Sequence, residues 1–146
     1  MGQGIGQPST EELLERLLSS SSPEAYLASL PEADRSFHRM LTTVAAAHGV
    51  SRARAIEDAG ITTSYGYQVF SGVRNPSRDT VLMLALGIRA TLEETQALLT
   101  RASLGRLWAK DPRDAVIIFG IAHGWSRSRV DDGLFDAGLP TLLRAE

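Results

Sequence analysis

Apolar positions fall three and four apart in one segment after another, and no stretch alternates in the two-residue period of a half-buried strand. Leucines 13, 14, 17 and 18 share one face of EELLERLL, and Ser9 stands three residues before Glu12, the spacing of a capping box. A short amphipathic helix therefore begins at residue 10. Ser22 followed by Pro23 opens a second helix, PEAYLASL. Phe37, Met40, Leu41 and Val44 place a third from Asp34, stopped at Gly49. Two short helices follow, SRARAIEDAG capped by Ser51 and TTSYGYQVFSG capped by Thr62, with a tight turn at Gly60. Ser77 caps the apolar RDTVLMLALGI, which Gly87 is expected to end. Thr91 and Glu94 form another capping box. Asp111 caps AVIIFGIAHG, with Pro112 at the first position and Asp114 set to answer the cap, and Ser126 opens the last helix. The pattern predicts an all-α chain of seven or eight helices.

Composition narrows the chemistry. The 146 residues are enough for one core without staples. Cys is absent, which removes disulfides, thiolate zinc sites and cysteine nucleophiles and agrees with a cytoplasmic location. The apolar runs VLMLALGI and AVIIFGIA are far shorter than the roughly 20 residues a membrane helix needs, so no membrane partner is expected. MGQGIGQPS has no charged region followed by an apolar one, and Gly6 stands where a myristoylation motif wants Ser or Thr. It reads as a flexible tail. Net charge is −2, but residues 1–33 carry five acids and one base, residues 34–102 eight bases and six acids, and residues 103–146 six of each. Only the middle block is positive, and its cations are all Arg, which suits bidentate contact with phosphate or guanine.

Gly49 to Ser77 reads GVSRARAIEDAGITTSYGYQVFSGVRNPS. Two short helices meeting at a steep angle need an elbow residue free of side-chain clash, and short polar residues leave the second helix free to enter a major groove. The Gly49-Val50-Ser51 entry, Ala59-Gly60-Ile61, Ser71-Gly72 and Asn75-Pro76-Ser77 give this segment its character. In these motifs, residues 34–102 resemble the helix-turn-helix domain of the Cro and lambda-repressor (XRE-like) type. The resemblance implies a lambda-repressor-like domain at 34–102; the tail and helices before it form an acidic helical arm at 1–33, and those after it a helical lobe at 103–146 expected to pack or dimerise. It implies that Thr62, Thr63, Ser64, Tyr67 and Gln68 on helix 62–72 read bases. It also implies that Ser51, Arg52, Arg74, Asn75 and Arg78 lie near phosphates. Residues 63 and 67, like 64 and 68, are four apart and share a helical face.

Two positions depart from that family. Ile56 stands where a small Ala is usual and Gly66 where a β-branched residue is usual, which reads as a paired exchange in which Ile56 fills the space Gly66 vacates. Tyr65 and Phe70 are expected to pack, and Tyr67 to face a ligand. The halves also echo each other: HGVSRAR at 48–54 and HGWSRSR at 123–129, each followed by DAG. Duplication is one reading, and a shared way to stop one helix and cap the next is the other. After its DAG the second copy has too few residues for a reader helix. That lobe is expected to pack on the first domain, to dimerise, or both, using Trp108, Ile117, Ile118, Phe119 and Leu134.

Catalysis finds no constellation. His38, His48 and His123 read as surface or packing residues, no group has metal spacing, and Asp131-Asp132 reads as a solvated face. The expectation is a non-enzymatic, sequence-specific DNA-binding regulator acting on double-stranded DNA as a homodimer, with no cofactor and no metal. A protein-interaction or signalling module on the same scaffold is the alternative, with the acidic arm or the carboxyl lobe as its contact.

Overall fold

In a computed structural model describing residues 9–30 and 36–144, nine α-helices and no strand occur among the described residues. They are α1 (Thr10–Ser19), α2 (Pro23–Ser29), α3 (Phe37–Ala47), α4 (Arg52–Ala59), α5 (Thr63–Ser71), α6 (Arg78–Ile88), α7 (Leu92–Arg101), α8 (Pro112–Ala122) and α9 (Arg127–Asp136). The all-α expectation holds, with one or two more helices than predicted. The amino-terminal tail over residues 1–8 and the helix start expected at Asp34 lie outside the described residues.

Local chemistry explains most of the boundaries. Ser9, Ser22, Ser51, Ser77, Thr91, Asp111 and Ser126 each accept a first-turn N–H as N-cap. Ser36 and Thr62 occupy the same position on α3 and α5 with no side-chain cap bond. Two expectations are corrected. Helix α6 runs through Gly87 and ends at Arg89, which takes the left-handed conformation at φ 65°. Gly87 serves packing instead: a Cβ there would sit 2.6 Å from the Ala55 carbonyl oxygen, so only hydrogen lets α4 and α6 approach this closely. Asp114 gives its N–H to the Asp111 cap but returns no side-chain bond, because its carboxylate turns away to Arg78 and to the Trp108 N–H.

Helix α6 is the centre of the molecule. Every residue from Thr80 to Ile88 is buried. Around it lie Leu41, Val44 and Ala45 of α3, Ala55, Ile56 and Ala59 of α4, Val69 and Phe70 of α5, and Leu98 and Leu99 of α7. Ile117, Val130, Leu134 and Leu142 complete the same cluster, so the carboxyl lobe shares one continuous core with the preceding helices. Of its expected packing residues, Ile117 and Leu134 are buried and Ile118 is half-buried, whereas Trp108 and Phe119 are exposed. By contrast α1 and α2 pair with each other and bury no residue.

Polar contacts orient the lobe. Gln96 bonds both the N–H and the carbonyl of Leu107, at 2.7 and 2.9 Å. Arg78 and Asp79 open α6, and Arg113 and Asp114 lie in the first turn of α8. Each Arg grips the other helix's Asp through two bonds, Arg78 to Asp114 at 3.0 and 2.8 Å and Arg113 to Asp79 at 2.9 and 3.1 Å. Asp131 is a further correction: it is 8% exposed rather than solvated. It accepts from Arg127 and from the backbone N–H groups of Leu142 and Leu143, holding the last described segment against α9. Arg127 in turn lies against Gly60, where a Cβ would meet its Nε at 3.1 Å.

The paired exchange predicted for Ile56 and Gly66 is visible in the packing, since a Cβ at Gly66 would fall 2.5 Å from Ile56 Cγ1. Gly66→Val alone should cost about 1–3 kcal/mol through overpacking. Ile56→Ala alone should cost about 2–5 kcal/mol through its cavity. The double variant should be more stable than the sum of the two losses, measured by denaturant unfolding; additive losses would dismiss the exchange.

His48, the C-cap of α3, lies 2.8 Å from Glu94 in the capping box of α7. Partial burial pushes the Glu94 carboxyl up, but the Thr91 N–H and the His48 imidazole outweigh it and hold Glu94 below the ordinary carboxylate value. A carboxyl lowered in the folded state adds stability above its unfolded pKa and loses it as pH falls through the folded one. Glu94→Gln should therefore flatten the acid limb of stability against pH, and an unchanged acid limb would remove Glu94 from the account.

Candidate nucleic-acid interface

The site is built on the elbow between α4 and α5. Gly60 ends α4 with φ 84° and ψ 14°, a conformation a side chain would strain, and Ile61 and Thr62 lead directly into α5. Helix α5 turns Gly66, Val69 and Phe70 inward. Its other side carries Thr62, Thr63, Ser64 and Tyr67, all exposed, and the half-buried Gln68. The residues expected to read bases thus lie together on one edge. Phe70 is buried as expected. Tyr65 is half-buried, its hydroxyl 3.2 Å from Thr80 Oγ1 and the Arg74 guanidinium 6.0 Å above its ring. Tyr67 retains 41% exposure.

The start of α5 is chemically open. Thr62 makes no cap bond, so its hydroxyl and the first-turn N–H groups, at the positive end of the helix, remain available. Arg52, Arg74 and Asn75 are exposed, and among the described residues Arg52 and Arg74 have no carboxylate partner. Arg54, beside them, is tied to Asp58 at 3.0 Å. Ser51 is exposed, with its hydroxyl accepting the Arg54 N–H.

Arg78 departs from the expectation. Besides Asp114, its guanidinium donates to the carbonyls of Gly105 and Arg106 at 2.8 and 3.0 Å. Four of its five N–H groups are engaged inside the protein, so it anchors the segment between α7 and α8 to the start of α6. Arg113 does the same work on the other side, reaching the carbonyls of Pro140 and Thr141. The sequence did hold a signal for this arrangement: Arg-Asp recurs at 78–79 and 113–114, each within the first turn of a helix.

Among the described residues no group of three His, Cys, Asp or Glu could hold a metal ion, and no helix is long and apolar enough to cross a membrane. Compared with known proteins, the chain matches no family model, no curated protein and no solved structure.

The two arginines flanking the loop should behave oppositely in unfolding experiments. Arg78→Ala strands Asp114, which is 5% exposed, and should cost about 2–4 kcal/mol. Arg74→Ala, on the surface, should stay within about 0.5 kcal/mol of the parent. Equal losses at the two positions would contradict the assignment of Arg78 to the scaffold.

Proposed function

We propose that the protein is a sequence-specific DNA-binding regulator that lays α5 in the major groove. The observation that carries this reading is the outward polar edge of α5, with its uncapped start and with Arg52, Arg74 and Asn75 exposed on the segments that flank it. The resemblance to Cro and lambda-repressor domains supports it by analogy. Thr62, Thr63, Ser64, Tyr67 and Gln68 contact base edges, and a Gln amide at position 68 can pair with adenine through two hydrogen bonds. Ser51, Arg52, Arg74 and Asn75 contact phosphates and set register without reading sequence. Arg78 takes no part in this contact, since its guanidinium is engaged with Asp114 and with the carbonyls of Gly105 and Arg106. A homodimer places two such edges about one helical turn apart, on half-sites of one operator. The protein performs no catalysis in this reading, needs neither cofactor nor metal, and works in the cytoplasm.

A second reading, a protein-interaction module, is favoured by a different observation. Leu14, Leu17, Leu18 and Leu27 are exposed on α1 and α2, and Trp108, Phe119 and Phe135 on the carboxyl lobe. Apolar exposure of this kind often marks a contact surface.

Selection from a pool of random duplexes, followed by fluorescence anisotropy of the winners, tests the first reading. Binding should be saturable and should weaken steeply with salt as counterions are released. Arg52→Ala should reduce the magnitude of the salt slope by about 1, and Gln68→Ala should cost about 1–3 kcal/mol at one base position. Absence of saturable binding to any duplex at low salt would overturn the proposal, and co-purification of a stoichiometric protein partner would then favour the second reading.

A further inference from the structure

Away from the α5 reading edge, a cleft of about 560 Å³ opens between the start of α3, the loop after α5 and the end of α7. Its polar lining is Ser36, His38, Arg74, Asn75, Arg101 and Ser103, with no carboxylate among the described residues that line it. Most of the other described guanidinium groups are held by carboxylates, carbonyls, a hydroxyl or an aromatic ring: Arg16, Arg54, Arg78, Arg113, Arg127 and Arg129. Arg74, over the Tyr65 ring, and Arg101 lie on one cavity and pair with no carboxylate among the described residues, so the described lining carries about two uncompensated positive charges.

Three further observations sharpen the chemistry. The Ser36 hydroxyl is buried and has no hydrogen-bond partner. It sits at the N-cap of α3, where it caps nothing, at the positive end of an 11-residue helix. The His38 ring is pressed against Gly72, where a Cβ would lie 2.7 Å from Nδ1, so the wall between α3 and the end of α5 is fixed rather than loose. Ser103 takes φ 60°, an unusual backbone for a non-glycine residue, in the turn that brings it to the cleft beside Arg101. Phe37 and Leu104 add an apolar side.

We infer that this cleft binds a phosphoryl group. Two guanidinium groups can each offer a planar pair of donors; a phosphate monoester, with nearly two negative charges at neutral pH, would balance both, and a backbone diester, with one, would balance half. The phosphoryl group comes either from a free small monoester, whose organic part rests on Phe37 and Leu104, or from the backbone of a nucleic acid reaching in past Arg74. The cleft's chemistry stands whether or not α5 reads DNA, because only Arg74 and Asn75 belong to both surfaces.

The test uses the full chain, isotope-labelled, titrated with inorganic phosphate and with phenyl phosphate at ionic strength matched by chloride. Amide resonances of Ser36–His38 and Ala102–Ser103 should shift saturably, and phenyl phosphate should bind more tightly than phosphate. Arg101→Gln should weaken both by about tenfold or more while thermal unfolding stays unchanged. Linear shifts scattered over Arg52, Arg89 and Arg144, or affinity within about twofold in Arg101→Gln, would overturn the site. A parallel titration with a short duplex assigns the source. Shifts at Ser36 and Ser103 that phenyl phosphate reverses support the site with a backbone phosphate, and their absence beside tight phenyl phosphate binding supports it with a free monoester. Because the phosphate arms contain no DNA, a failed operator selection leaves their outcome intact.

Discussion

Helix α6 has no face left for water, and the architecture follows from that constraint. Nine consecutive buried residues, Thr80 to Ile88, cannot be covered by a single neighbouring layer. Each large apolar side chain left facing solvent would forfeit about 1.5–3 kcal/mol. Helices α3, α4, α5 and α7 cover part of the surface, and the carboxyl lobe brings Ile117, Val130, Leu134 and Leu142 into the same cluster. On this account the lobe belongs to the fold of the preceding helices. The close contact of Gly87 with the Ala55 carbonyl sets how near α4 lies to α6, and α4 in turn sets where the Gly60 elbow and α5 emerge.

Burial alone is non-directional, so it does not fix how α8 sits against α6. The two exchanged Arg-Asp pairs supply the direction. The same dipeptide faces itself across the two helix starts, each Arg on the other helix's Asp, much as the two halves of an isologous contact do. Each guanidinium also reaches backbone carbonyls beyond its helix, Arg78 to Gly105 and Arg106, and Arg113 to Pro140 and Thr141. Four segments are thereby held at one place. The loop carrying Arg74 and Asn75 is tied to α5 at its start, where the Val73 and Arg74 N–H groups donate to the Gln68 carbonyl, and it ends at Ser77, immediately before this junction.

Helices were legible in the sequence because capping is local. Ser9 with Glu12, Thr91 with Glu94, and Pro112 after Asp111 are signals contained within four residues. The outward edge of α5 was legible too, since a four-residue spacing fixes a helical face whatever the fold. The Ile56 and Gly66 exchange was found because each residue breaks an expectation in a compensating direction. What stayed hidden depends on partners distant in sequence. The family resemblance assigns Arg78 to phosphate, and the recurring Arg-Asp dipeptide does not by itself show that its partner is Asp114, 36 residues away. Asp131 looked solvated beside Asp132, and only the returning chain at Leu142 shows why it is buried. Gly87 looked like a helix stop because a close approach of two backbones leaves no periodic trace. The specific lambda-repressor-like arrangement remains part of the proposal, argued from the motif and the edge.

The two HG-x-SR copies show how one local rule leads to different ends. Both His48 and His123 close a helix, and both Ser51 and Ser126 cap the next. Five residues after each Ser the copies part. Ile56 fills the space beside Gly66 and so seats a following helix, whereas Asp131 accepts the N–H groups of Leu142 and Leu143 and binds the following chain as a bent, non-helical segment. A carboxylate that satisfies two backbone donors removes the incentive for that segment to coil into a helix of its own. The second copy therefore closes the core instead of presenting an edge, and Arg127 from its first turn rests on Gly60, the elbow of the first copy. Whichever origin the copies have, one places α5 outward and the other braces the turn from which α5 departs.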